Sequence, residues 1–295
     1  MATTSDLINN IKLRGSFPTA NDLFTNADYL SILSDEMLNQ VVPVITKINQ
    51  EYFLTYQDSV TVANKAEYRF PRRAIGSTLR NVQTIDSGGN VVELPRLFEE
   101  DNYSITQGNV GYYVKANMVI LSPTPTDSSL TLRQAYFRRP SKFVLPTACA
   151  QIISIDTAND QVTVASLPST ISNNVLVDFV QALSPYDLLQ MDSTVISASG
   201  TTLTFSSLPE DLAIGDYVSV ASETCVPMVP EELIPFLVQS ALCVCLSSKK
   251  DKSVELELQK LEQMKETIIN LLSPRVKSAD VKIQTTNGLL SSFRF

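Results

Sequence analysis

Apolar residues near the start of the chain recur at helical spacing. Leu30, Leu33, Met37, Val41, Val44, Ile48 and Tyr52 follow one another at intervals of three or four. That places them on one face of a helix of about seven turns. Asn26 is positioned to cap this helix, and Pro43 inside it predicts a kink near residues 39–42. A shorter helix precedes it, with Thr4, Ser5 and Asp6 offering N-cap oxygens before Leu7, Ile8 and Ile11, and with Gly15 closing it.

From Asp58 the period drops to two. Val60 and Val62 alternate with polar neighbours, and Ser87-Gly88-Gly89-Asn90 between Ile85 and Val91 reads as a hairpin turn. Further strands are expected around Tyr112 to Val114, Met118 to Leu121, Leu130 to Leu132 and Ala135 to Phe137, with Pro123 and Pro125 marking a turn. Residues 150–226 then repeat a plan of strand, turn, strand, Leu-Pro loop and strand. Leu167-Pro168 and Leu208-Pro209 lie 41 residues apart, and the signatures beginning at Asp178 and Asp216 lie 38 apart. On that spacing the two aspartates occupy matching positions. Six short strands suffice for a closed barrel or a sandwich, which removes free edges.

Helical spacing returns after Pro230, which suits a first helical position with Glu231 and Glu232 in the first turn. The helix to about Ser247 is apolar nearly all round and should be enclosed by others. Val254, Leu258, Leu261, Met264, Ile268 and Leu271 stripe a final amphipathic helix, ended by Ser273-Pro274. The fold class expected is therefore α+β. A helical bundle forms from the N-terminal (1–57) and C-terminal (227–274) helices, with an antiparallel β segment (58–149) and a small β-barrel or sandwich (150–226) inserted, and an arm (275–295) follows.

Composition narrows the function. There is no histidine and no tryptophan, and the formal charge is −8. Missing histidine removes the commonest general base, the serine-type triads and His-based zinc sites. The 9 glycines compare with about 21 expected at average usage, which disfavours phosphate-cradling loops. An acidic chain lacks the excess of Lys and Arg that duplex-binding proteins use. The opening Met-Ala-Thr-Thr-Ser-Asp has no cationic stretch followed by an apolar core, so no export signal is expected. The apolar run from Leu233 to Leu246, broken by Pro235, Gln239 and Ser240, falls short of the roughly 20 residues of a membrane span. Cys149, Cys225, Cys243 and Cys245 read as buried, reduced thiols.

No nucleophile elbow, Walker loop or C-x-x-C pair is present, so no catalytic, cofactor or metal residue is assigned. The densest acidic cluster, Glu99-Glu100-Asp101, reads as a solvated loop, although paired carboxylates are the machinery of glycan hydrolases. Asp178 and Asp216 are expected to accept hydrogen bonds in the turns entering their strands. Two basic clusters beside aromatics, Arg69-Phe70-Pro71-Arg72-Arg73 and Phe137-Arg138-Arg139-Pro140, read as ion-pair donors to a neighbouring subunit. Lys249-Lys250-Asp251-Lys252 reads as a solvated connection between helices.

Several segments resemble one protein family. They are residues 7–18 (Leu-Ile-Asn-Asn-Ile-Lys-Leu-Arg-Gly-Ser-Phe-Pro), the helix end within 41–53, residues 68–77 (Tyr-Arg-Phe-Pro-Arg-Arg-Ala-Ile-Gly-Ser), the Leu-Pro repeat, and residues 271–276. The pattern resembles the head-to-tail connector, or neck adaptor, proteins of tailed bacteriophages, across nearly the whole chain. The resemblance implies a homo-oligomeric ring, usually of twelve copies, in the virion neck, with a portal protein above and a tail or nozzle protein below. It implies a protein made in the host cytoplasm, needing no cofactor or membrane, through whose ring genomic DNA passes without sequence-specific binding. It also implies that the C-terminal extension reaches toward the portal. In this chain that role falls to Arg275 and the arm, with Leu289, Leu290, Phe293 and Phe295 as apolar anchors for a groove. Together with Arg72, Arg73, Arg138 and Arg139, these are the expected contacts with portal or neighbouring subunit. Acidic side chains facing the lumen would let DNA slide. Two other readings remain open: a β-rich tail or decoration protein that binds a host glycan or receptor, and a carboxylate-dependent hydrolase.

Overall fold

The computed structural model describes residues 2–17, 24–98, 110–126 and 128–273. Helix α1 (Thr4–Arg14) opens on a capping box in which Thr3 is the N-cap and exchanges hydrogen bonds with Asp6, and Gly15 is its C-cap. Helix α2 (Asn26–Glu36) is capped the same way by Thr25 and Asp28 rather than by Asn26. In both helices the residue just before the expected cap serves, because its backbone is extended and its hydroxyl faces the N3 amide. The expected kink is a π-helical turn at Met37–Val41, in which the Val42 N–H bonds Met37 O five residues back. This wider turn leads into α3 (Val42–Ile48), with Pro43 in its first turn where a missing N–H costs least. The helix stops at Ile48 and not at Tyr52, since Asn49 turns extended and β1 (Leu54–Val60) begins at once.

Strands β2 (Glu67–Arg69), β3 (Ala74–Ile85), β4 (Val91–Leu94), β5 (Gly111–Lys115), β6 (Met118–Ser122) and β7 (Thr131–Arg138) form two small sheets. Their orders are β1-β7-β3-β4 and β2-β6-β5, all antiparallel. The expected hairpin is the β3–β4 connection, with Asp86 Oδ1 accepting from the Gly88 and Asn90 amides at 2.8 and 2.9 Å. Tyr68, Phe70, Val82, Leu132 and their neighbours bury a core between these sheets.

The chain enters the next unit along β8 (Lys142–Phe143) and leaves it along β16 (Glu223–Thr224), and these two strands pair in parallel. Both are tied to the N-terminal helices. Thr4 N donates to Cys225 O at 2.8 Å, Thr4 Oγ1 to Val144 O, and Phe143 N to Ser34 Oγ at 3.1 Å. Between them lie β9 (Ala150–Asp156), β10 (Gln161–Val164), β11 (Leu176–Val180), β12 (Leu188–Thr194), β13 (Ser197–Ser199), β14 (Thr202–Thr204) and β15 (Tyr217–Val220). The sheet order is β12-β11-β15-β9-β10-β14-β13. Its two outer members are successive pieces of one stretch, joined through Val195 and Ile196, so the two edges are continuous along the chain.

The duplication is visible in the ladders, with one correction. Val162 pairs with Leu203 and Asp178 with Ser219, each pair 41 residues apart. The bonds Val164 N→Thr201 O and Phe205 N→Asp160 O are related by the same shift, as are Ile171 N→Pro168 O and Leu212 N→Pro209 O in the two Leu-Pro turns. Asp178 therefore corresponds to Ser219, and Asp216 to Val175. The spacing of 38 that equated the two aspartates is out by three residues, an odd slip that moves a side chain to the other face of its strand.

Helix α4 (Ile234–Ser248) packs against α1, α2, the π turn and α5 (Val254–Leu272). Residues 231–248 are long and apolar enough by composition to cross a membrane, and 67% of that stretch is buried inside the protein. Its polar residues bond sideways: Ser240 Oγ donates to Glu36 on α2, and Gln239 Nε2 to Glu257 Oε2 on α5 at 2.8 Å. The α5 stripe is only partly covered. Leu261 and Ile268 are buried, whereas Leu258 and Leu271 are exposed, because the contact follows a narrow seam through Val254, Leu261 and Ile268. In the connection between these helices, Lys249 Nζ sits 3.8 Å from the centre of the Phe17 ring, so this lysine is packed as well as solvated.

Candidate functional site

The two basic clusters are far apart in sequence and adjacent in space. Pairing of β3 with β7 sets Ala74 opposite Arg138, and Arg139 N donates to Arg73 O at 2.7 Å. Pro71 turns the chain just before β3, with Ala74 N bonding Pro71 O, and this aims the Arg73 side chain at the duplicated unit. Its Nη1 and Nη2 donate to Asp178 Oδ2 and Oδ1 at 2.8 and 2.9 Å, and Nη2 also to Asp192 Oδ1 at 2.8 Å. Arg73 is 8% exposed and Asp178 not at all. The remaining valences of Asp178 are filled by the amides of Asp192 and Ser222, both at 3.0 Å. Burial works against the Arg73 charge, but the bonds to Asp178 and the charges of Asp178 and Asp192 outweigh it and hold its pKa above the usual value.

Arg138 lies next to this cluster, half-buried, with Nη1 4.0 Å from Met228 Sδ. Burial lowers its pKa, and the nearby Asp178 charge offsets only part of that. Burial likewise raises the pKa of Tyr136, and that of Tyr52 to about 12. Beside the cluster a cleft of about 760 Å³ opens between the four-stranded sheet and the duplicated unit, lined among others by Tyr56, Asp58, Arg69, Arg72, Asp192 and Ser222. Asp58 is held by Arg133 through two bonds of 2.8 and 2.7 Å.

Of the expected contact residues, Arg72 and Arg139 are exposed and Arg138 is half-buried. Arg73 departs from expectation. Its guanidinium is engaged within the chain, because the fold brings a buried carboxylate to it that would otherwise lack a countercharge. Arg275, Leu289, Leu290, Phe293 and Phe295 lie outside the described residues, as do Glu99, Glu100 and Asp101. Asp216 accepts from Ala182 N and Ala213 N at 2.9 Å, so it closes the turn entering β15 as expected. Asp178 instead reaches across to β12, to the turn after β15 and to Arg73. Sequence reasoning missed Asp192. It sits at a register shift of β12 with φ +54°, a feature no local pattern announces.

Among the described residues no group of three or more His, Cys, Asp or Glu side chains could hold a metal. The four cysteines are free and buried. Burial raises the pKa of Cys243 and Cys245 to about 11, which suppresses the reactive thiolate. Cys149 is raised as well, first by its hydrogen-bonding neighbour Cys225 and then by burial. Chemically, the junction can hold two units in fixed orientation and present cations at a groove. No protein-family model matches the chain, and no curated protein matches it either.

Proposed function

We propose that this chain is a structural, non-enzymatic head-to-tail connector of a tailed-phage virion. In this reading the helices of both chain ends form a bundle, and the duplicated unit is a small closed β-barrel inserted into it. Copies assemble as a ring of twelve between the portal and the tail, in the neck of particles built in the host cytoplasm. One observation carries the reading: the segments that resemble the connector family are those that build the frame. Residues 7–17 and 41–53 supply much of the helical core, residues 68–77 carry the Arg73 junction, and the Leu-Pro pairs make the equivalent turns of the duplication. A charge of −8 per copy also suits a passage through which DNA moves without sticking.

The test is negative-stain microscopy of the purified chain, alone and mixed with the portal ring of the same phage. Caps or rings on the portal are the expected result. Monodisperse trimers with glycan affinity and no portal binding would instead favour the receptor-binding alternative. Deleting residues 288–295 should leave the fold intact and weaken portal capping, as expected of an arm that docks by a few apolar anchors.

A further inference from the structure

The cleft beside the Arg73 cluster carries two cations that nothing in the described chain neutralises. Arg69 and Arg72 are exposed and take part in no ion pair among the described residues. The carboxylates in the same cleft are already committed, Asp58 to Arg133 and Asp192 to Arg73. The groove is thus locally positive on a chain whose overall charge is −8, and it offers the half-exposed ring of Tyr56 beside those charges.

A complementary surface lies at the other end of the same strands. Leu176 at the start of β11, and Ala221 and Ser222 after β15, line the cleft. The loop 208–214 leads into β15 from the opposite end. It carries Glu210 and Asp211, both exposed and without an ion-pair partner among the described residues, and Ile214, which is 70% exposed. Leu183, 64% exposed, follows β11 at that same end, where Ala182 N bonds Asp216. A positive groove where the duplicated unit meets the β2–β3 segment, and an acidic loop with an exposed isoleucine at the far end of that unit's strands, are what a head-to-tail contact between identical copies requires. Such a contact closes into a ring when its rotation permits.

The geometry points to loop 208–214 of one copy seating in the cleft of the next, with Glu210 and Asp211 on Arg69 and Arg72 and Ile214 against Tyr56. The identity of the partner, a second copy of this chain, rests on the connector reading. The contact is electrostatic at its rim, so it weakens as salt rises.

Charge reversal tests it. Arg69→Glu/Arg72→Glu and Glu210→Lys/Asp211→Lys are prepared separately and combined in one chain, and self-association is followed by sedimentation velocity with and without the portal ring. Each double variant should weaken self-association at least about tenfold, and the fully swapped chain should recover most of that loss. A carbodiimide applied to mixed isotope-labelled copies of Arg72→Lys should join position 72 of one copy to Glu210 or Asp211 of another. Circular dichroism melts that match the unmodified chain keep loss of folding apart from loss of contact. Reversed variants that associate normally, a swapped chain that fails to recover, or an unmodified chain that stays monomeric even with the portal would each overturn the contact. Loss of duplex-DNA binding in Arg69→Glu/Arg72→Glu with unchanged self-association would overturn it in favour of a phosphate ligand. Portal capping with no cross-link at position 72 leaves the connector reading standing and removes this contact. Recovery by the swapped chain with no portal binding does the reverse.

Discussion

The two halves of the duplicated unit share their strand ladders but differ at the axis that relates them. Asp178 and Ser219 face each other across β11 and β15 and are also each other's counterparts. In the first half the position holds a carboxylate that binds Arg73 from the neighbouring sheet. In the second it holds a hydroxyl that bonds Glu223 O at 2.7 Å, within the strand that leaves the unit. Repetition supplies a framework held by its own ladder hydrogen bonds, and departure from repetition supplies the attachment to the rest of the molecule. The hairpins differ in the same manner. Asp156 organises the longer β9–β10 turn by accepting from Ala158 N and Asn159 N, whereas the shorter β13–β14 turn relies on Gly200 at φ +60°.

Making the halves more alike should break the attachment first. Asp178→Ser restores the symmetry of the pair but leaves the Arg73 guanidinium buried with only the half-exposed Asp192 for company. Urea unfolding should show a loss of about 3–5 kcal/mol, and Arg73→Met/Asp178→Leu should lose less than either single change. Asp216→Ala, which leaves the buried Ala182 amide and the partly buried Ala213 amide without their acceptor, should cost about 2–3 kcal/mol in the same measurement. Ser219→Ala removes one neutral hydrogen bond and should cost about 1 kcal/mol. The smallest effect is expected at Asp156. Its pKa lies below the ordinary 3.8, chiefly through the Asn159 side-chain bond. The unfolded chain therefore takes up the proton first, so this group's contribution is full above that pH and fades as the pH falls through the lowered value. Protection of the Ala158 and Asn159 amides, taken relative to the intrinsic exchange rate at each pH, should fall on acidification while that of Gly200 and Thr201 follows only the global stability, and Asp156→Asn should abolish the contrast.

Local patterns with a single physical cause were legible in advance. The α1 and α4 helices, the Ser87–Asn90 hairpin and the repeated Leu-Pro turns all follow from spacing and turn chemistry. Legibility failed where a competing local interaction won. Thr3 and Thr25 capped the helices because each has an acid three residues on to complete a capping box, and Asn49 ended α3 before its apolar stripe ran out. It failed also where the repeat carries two competing spacings, 41 between the Leu-Pro pairs and 38 between the aspartates. The Asp-aromatic signature favoured 38, and only the ladders selected 41. Of the site, the two arginine clusters were visible as clusters, but which arginine would be buried was not.

By itself the sequence determined the α+β alternation, the helical character of the segments on either side of the β region and the presence of a duplication, because periodicity and turn residues act over a few positions. It also determined the exclusions that follow from having no histidine. Tertiary structure alone decided that Arg73, and not Arg72, meets Asp178, that Asp192 joins them, and that Arg69 and Arg72 are left facing a groove. Those outcomes depend on side chains of two different sheets meeting across 105 residues of chain, as in the Arg73–Asp178 bond, and on burial, which fixes the strength of a charge interaction and which no local pattern records.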